Sequence, residues 1–149
     1  MTRPLVCLLS IATAVFLTDQ VTKWWIVWHL DLITRFRIDV LPPFLVLKMA
    51  WNEGINFGLQ IAGRWVLVGL ALAISLGLSW WILGRRSVLL ASAAGLVVGG
   101  AIGNAVDRVL YGAVADFLNM SCCGIDNPFA FNVADIAIFA GAVVIAFRS

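Results

Sequence analysis

Four apolar runs dictate what this chain can become: Leu5 to Trp28, Trp65 to Leu83, Val88 to about Val106, and Phe131 to Phe147. The first would form a helix of about 36 Å at 1.5 Å per residue, enough to cross a bilayer with some tilt. In lipid every backbone amide must find its partner within the protein, so helices are the expected form. The expectation is an all-α membrane protein: a four-transmembrane-helix bundle, one domain over residues 1–149, with a small β-rich extracytoplasmic segment over about 31–63. Composition agrees, with 62% hydrophobic and 12% charged residues and a mean hydropathy of +1.01. Soluble domains are apolar to about half. A net charge of +2 without clustered Lys or Arg excludes a nucleic-acid surface.

Between the first two runs, Phe36 to Val40 and Phe44 to Met49 flank Pro42-Pro43 and predict a small hairpin. Asn52 to Gly58 follows with turn-forming residues. In the second run Gly69, Ala71, Ala73, Ser75 and Gly77 predict close helix packing. Leu110 to Ala130 reads as a partly helical loop. Arg3, Arg85, Arg86 and Arg148 fall on one side of a four-span topology, which places both termini in the cytoplasm.

That topology brings Asp19, Asn52, Asn104, Asp107, Asp116, Asn132 and Asp135 toward the outer leaflet from separate segments. Ionisable groups beside lipid are costly and mark function. Other hydrolytic chemistries find little here. No Gly-x-Ser-x-Gly elbow occurs. The one histidine, His29, has no partner for a zinc site and reads as an interfacial residue. Three cysteines make no disulfide framework; Cys7 reads as a buried thiol, and the adjacent Cys122 and Cys123 as free or structural. No metal or cofactor is expected.

Carboxylates remain. Two of them close together cannot both ionise readily, so they share one proton. The ionised member can then activate a water while the protonated one polarises a carbonyl. The candidates are Asp107, Asp116 and Asp135. Asp107 lies on an Asn104-Asp107-Arg108 face where Arg108 is expected to pair with it, whereas Asp116 and Asp135 lack a cationic neighbour in sequence. They are the expected dyad. Asp19 and Lys23, four apart, share a helix face. A small proton-coupled transporter or a non-enzymatic membrane subunit would also carry buried charge, but a transporter often shows acids near mid-membrane and an internal repeat.

Over nearly its full length the chain resembles the lipoprotein signal peptidases (signal peptidase II). The likeness lies in Asp19-x-x-x-Lys23, in Asn52-x-Gly54-x-x-Phe57-Gly58, in Gly99-Gly100-Ala101-x-Gly103-Asn104-x-x-Asp107-Arg108 with Gly112 and Asp116-Phe117, and in Phe131-Asn132-x-Ala134-Asp135. The resemblance implies a bacterial inner-membrane aspartyl endopeptidase that removes signal peptides from diacylglyceryl-modified prolipoproteins on the amino side of the lipidated cysteine. It implies Asp116 and Asp135 as the catalytic pair. It also implies substrate-binding or supporting roles for Asn52, Gly54, Asn104, Asp107, Arg108 and Asn132, with Asp19 and Lys23 as a supporting pair. Membrane lipids are the implied surroundings and the cyclic peptide globomycin an implied inhibitor.

Overall fold

The structure, a computed structural model, describes residues 2–54 and 63–148. Helix α1 (Arg3–Lys23) runs without a break into a π-helical segment, Trp24–His29. A short α2 (Leu32–Arg35) leads to strands β1 (Arg37–Leu41) and β2 (Leu45–Asn52). Then come α3 (Arg64–Gly84), α4 (Val88–Tyr111), strand β3 (Val114–Asn119) and α5 (Val133–Arg148). Among the described residues three helical stretches are long and apolar enough to cross a membrane: Arg3–His29, Arg64–Gly84 and Val88–Tyr111. Helix α5 has 16 residues, about 24 Å long, shorter than the roughly 30 Å hydrocarbon layer.

The predicted hairpin is present, with β1 and β2 antiparallel about the Pro42-Pro43 turn. The partly helical loop predicted over Leu110–Ala130 is corrected. Its first part is β3, which pairs antiparallel with β2 and completes a three-stranded sheet of order β1-β2-β3. Nearly every residue of β3 is buried, so it lacks the alternation that marks a half-exposed strand. Leu47, Ala115 and Phe117 of the sheet pack against Val27 of the π-helical segment and Leu32 of α2, seating the sheet on the end of α1.

Helix α4 is the centre of the bundle, packed by α1, α3 and α5. Gly95, Gly99 and Gly103 recur every four residues and therefore share one face. A Cβ at Gly95 would meet the Leu8 carbonyl at 2.7 Å, one at Gly99 the Ala12 carbonyl at 2.5 Å, and one at Gly103 the Asp19 carboxylate at 2.6 Å. These contacts advance together along both chains, so α1 and α4 run parallel. On another face, Cβ atoms at Gly100 and Gly141 would each meet a carbonyl across the α4–α5 contact at 2.5 Å, and there the helices run antiparallel. At Gly69 and Gly77 the close packing predicted for α3 is corrected, since a Cβ at either would meet nothing within 4 Å, while Ser75 of the same run is buried. Small residues at every second position face opposite sides of a helix and build no seam.

Candidate active site

Chain punctuation brings the polar residues together. Gly112 (φ +84°) caps α4, its N–H donating to the Arg108 carbonyl, and turns the chain into β3. Asp116 therefore stands on β3, opposite Ala50 of β2. Gly54 (φ +119°) donates its N–H to Asn52 Oδ1 at 3.0 Å, which turns the Asn52 amide nitrogen toward Asp116 Oδ2, 3.1 Å away. Phe57 and Gly58, the other half of that motif, lie outside the described residues.

Asn132 and Asp135 form a reciprocal cap at the start of α5. Asp135 N–H donates to Asn132 Oδ1 at 2.9 Å and Asn132 N–H to Asp135 Oδ2 at 3.2 Å. The same Asn132 donates from Nδ2 to Asp116 Oδ1 at 2.6 Å. One residue thus bonds both carboxylates. Asn104 Nδ2 donates to the remaining oxygen of Asp135 at 3.0 Å, while its Oδ1 accepts from Asn132 at 3.2 Å. Every hydrogen-bond donor that the described residues offer to these two carboxylates is a neutral amide.

Asp116 is 3% exposed. Burial, joined by repulsion from the Asp135 carboxylate and only partly offset by the Asn52 and Asn132 bonds, pushes its carboxyl up to about 6 from the ordinary 3.8. Raised in this way, Asp116 favours the fold below about pH 4, and that contribution is lost as pH rises through about 6.

Asp19 and Asp107 sit in the opposite environment. Lys23 Nζ lies 2.8 Å from each of them and donates to Asn104 Oδ1 at 3.1 Å. The expected Asp107–Arg108 pair is corrected: the cation of Asp107 is Lys23, from another helix. Consecutive residues point about 100° apart on a helix and do not face each other. Arg108 instead donates to its own-helix Asn104 carbonyl at 3.4 Å, and among the described residues its buried Nε has no partner. The guanidinium and Asn104 stand at the end of a groove of about 230 Å³, otherwise walled by apolar side chains such as Leu67, Leu70, Ile74 and Ile138.

Sequence reasoning missed Gln20, whose Nε2 donates to Asp107 Oδ1 at 3.0 Å and Asp19 Oδ2 at 3.2 Å. A carboxamide between Asp19 and Lys23 in an apolar run was the available signal. His29 lies against Trp25, with ring centres 4.2 Å apart and the planes tilted by 34°. Cys7, Cys122 and Cys123 are free thiols. Among the described residues no group of three or more His, Cys, Asp or Glu side chains is placed to hold a metal.

Comparison with known proteins places this arrangement. A family model described as Signal peptidase (SPase) II matches residues 11–149. The chain is 44% identical over 143 residues to a lipoprotein signal peptidase of Methylobacterium sp. (strain 4-46), covering 93% of this chain and 86% of that protein. It is 45% identical over 129 residues to one from Methylorubrum extorquens (strain PA1), covering 84% and 74%. A bacterial membrane enzyme solved by the in meso method at 1.9 Å resolution superposes with a TM-score of 0.79 at 28% identity, over 94% of this chain and 90% of that one. With its family match running almost end to end over a multi-pass membrane fold, the chain belongs to the signal peptidase II family.

Proposed function

We propose that this protein is an aspartyl endopeptidase that removes signal peptides from diacylglyceryl-modified prolipoproteins, cutting on the amino side of the lipidated cysteine. Asp116 and Asp135 are its catalytic pair. The observation that carries the reading is Asn132, which hydrogen-bonds both carboxylates from one position and so fixes β3 and the start of α5 side by side. Repulsion between the two acids favours a single shared proton. Burial and the nearby Asp135 charge raise the Asp116 carboxyl to about 6, in keeping with such sharing. The ionised partner takes a proton from a water whose oxygen attacks the scissile carbonyl carbon. The protonated member donates to the carbonyl oxygen, and collapse of the tetrahedral intermediate breaks the C–N bond as the departing nitrogen takes a proton.

The signal helix enters sideways into the groove beside α3, its acyl chains staying in lipid. Arg108, whose buried Nε has no partner among the described residues, meets substrate backbone that has been unwound for cleavage and would otherwise be unsatisfied in an apolar setting. Helix α5 acts as the fourth, short span, its N-terminal cap at the outer leaflet of the inner membrane and both chain termini in the cytoplasm. The β-rich segment over about 31–63 rests on the extracytoplasmic surface. Globomycin is expected to inhibit.

The test uses Asp116→Asn and Asp135→Asn enzymes, purified at matched expression and assayed by mass spectrometry on a lipidated prolipoprotein. Both are expected to lose on the order of 10³-fold in turnover. Processing retained by either variant removes that residue from the pair. Turnover abolished in Asp107→Asn with substrate binding intact, while Asp116→Asn remained active, would show that the wrong acids had been chosen.

A further inference from the structure

The Asp19–Lys23–Asp107 cluster reaches the dyad through the backbone. Asp107 Oδ2 accepts the N–H of Ala115 at 3.2 Å, and Ala115 immediately precedes Asp116. Asp19 Oδ1 accepts the N–H of Ala134 at 3.0 Å, and Ala134 immediately precedes Asp135. Each supporting carboxylate therefore grips the chain one residue before a member of the pair, one on β3 and the other on α5. The two grips are joined twice. Lys23 Nζ bridges them at 2.8 Å on either side, and the Gln20 carboxamide bridges them again at 3.0 and 3.2 Å. Gln20 also reaches the Gly103 carbonyl at 3.4 Å.

All four carboxylate oxygens of Asp19 and Asp107 are thereby occupied, and the three Lys23 protons have three acceptors. Asp19, Asp107 and Lys23 are at most 5% exposed and Gln20 is half-buried. Charge-assisted bonds of this kind are short and stiff. A hydrophobic contact between the same elements would leave them free to slide by more than a water-bridged pair of carboxylates tolerates.

We propose that this closed ring is a gauge that sets the separation of Asp116 and Asp135, and that Gln20 is a positioning residue within it. The inference rests on the dyad reading above. Gln20 touches neither catalytic carboxylate; it acts through the Asp107–Ala115 and Asp19–Ala134 grips. Lys23 supplies the charge, and Gln20 fixes the angle at which the two grips meet.

Gln20→Met keeps the length and apolar stem of the side chain and leaves the ion pairs in place. It removes both carboxylate bonds of Gln20, and the purified enzyme is expected to show a kcat about tenfold lower. Its KM for lipidated substrate should stay within about twofold, since nothing in the groove has changed. Combined with Asp107→Asn, which opens the ring from the other side, it should cost little beyond Asp107→Asn alone, because both break one device. Wild-type kcat in Gln20→Met, whether or not its thermal midpoint falls, would overturn the gauge, as would losses that simply multiply in the double variant. Asp116→Asn run alongside separates the two ideas. Turnover retained there defeats the dyad; an inactive Asp116→Asn beside a fully active Gln20→Met defeats the gauge alone.

Discussion

Two pairs of carboxylates lie close together in this molecule and receive opposite treatment. Asp19 and Asp107 share one ammonium and are almost sealed from solvent. Asp116 and Asp135 are held by the amides of Asn52, Asn104 and Asn132, with no ion pair among the described residues. A cation neutralises an acid and makes it a strut. An amide orients an acid without neutralising it, so a second acid nearby raises the proton affinity of the first. On the proposed reading of Asp116 and Asp135 as the catalytic pair, full charge stands where rigidity is needed and is withheld where a proton must move.

The largest way to break that contrast is to remove the cation. Lys23→Met leaves two carboxylates buried without their partner, which costs about 3–5 kcal/mol, enough to deplete folded protein in membranes and sharply lower the thermal midpoint in detergent. An equally stable Lys23→Met protein would mean that the pair is no strut. On the amide side the effect should fall on rate. Asn132→Ala removes a bond to Asp116 and half of the cap on Asp135, and about 1.5–3 kcal/mol per charge-assisted bond predicts kcat lower by roughly 10- to 100-fold. A thermal midpoint that dropped as far as that of Lys23→Met, with kcat per folded molecule unchanged, would erase the distinction between the two pairs.

A smaller effect concerns the seam that carries the struts. Gly99→Ala drives a Cβ into the Ala12 carbonyl at 2.5 Å, and overpacking of this sort costs about 1–3 kcal/mol. Gly77→Ala on α3 meets nothing and should be neutral or stabilising by up to about 1 kcal/mol through helix propensity. Thermal unfolding of the two variants in the same detergent checks the order.

Much of this was legible in the sequence because ionisable and carboxamide side chains beside apolar runs have few innocent explanations. Asp116, Asp135, Asn104 and Asn132 could be singled out that way, and the structure brings them together. The β1–β2 hairpin was legible from its Pro-Pro turn. What escaped depended on partners remote in the chain. Strand β3 owes its conformation to β2, some sixty residues earlier, and its burial hides the strand period. The Lys23–Asp107 pair joins two helices, whereas the Asp107–Arg108 pairing inferred from proximity fails on helical geometry. The small residues of α3 were conspicuous by composition, yet the four-residue spacing of Gly95, Gly99 and Gly103 was the signal for close approach.

The account depends above all on Asp116 and Asp135 interacting as acids, and a titration of the Asp116 carboxyl reads that interaction directly. By infrared or carbon NMR on the folded enzyme, Asp116 should titrate near 6 in the wild type. In Asp135→Asn it should move downward, since the repelling charge is gone, while staying above the ordinary 3.8 because burial, the larger cause, remains. A wild-type value near 3.8, or one that Asp135→Asn leaves unmoved, would contradict a proton shared between the two.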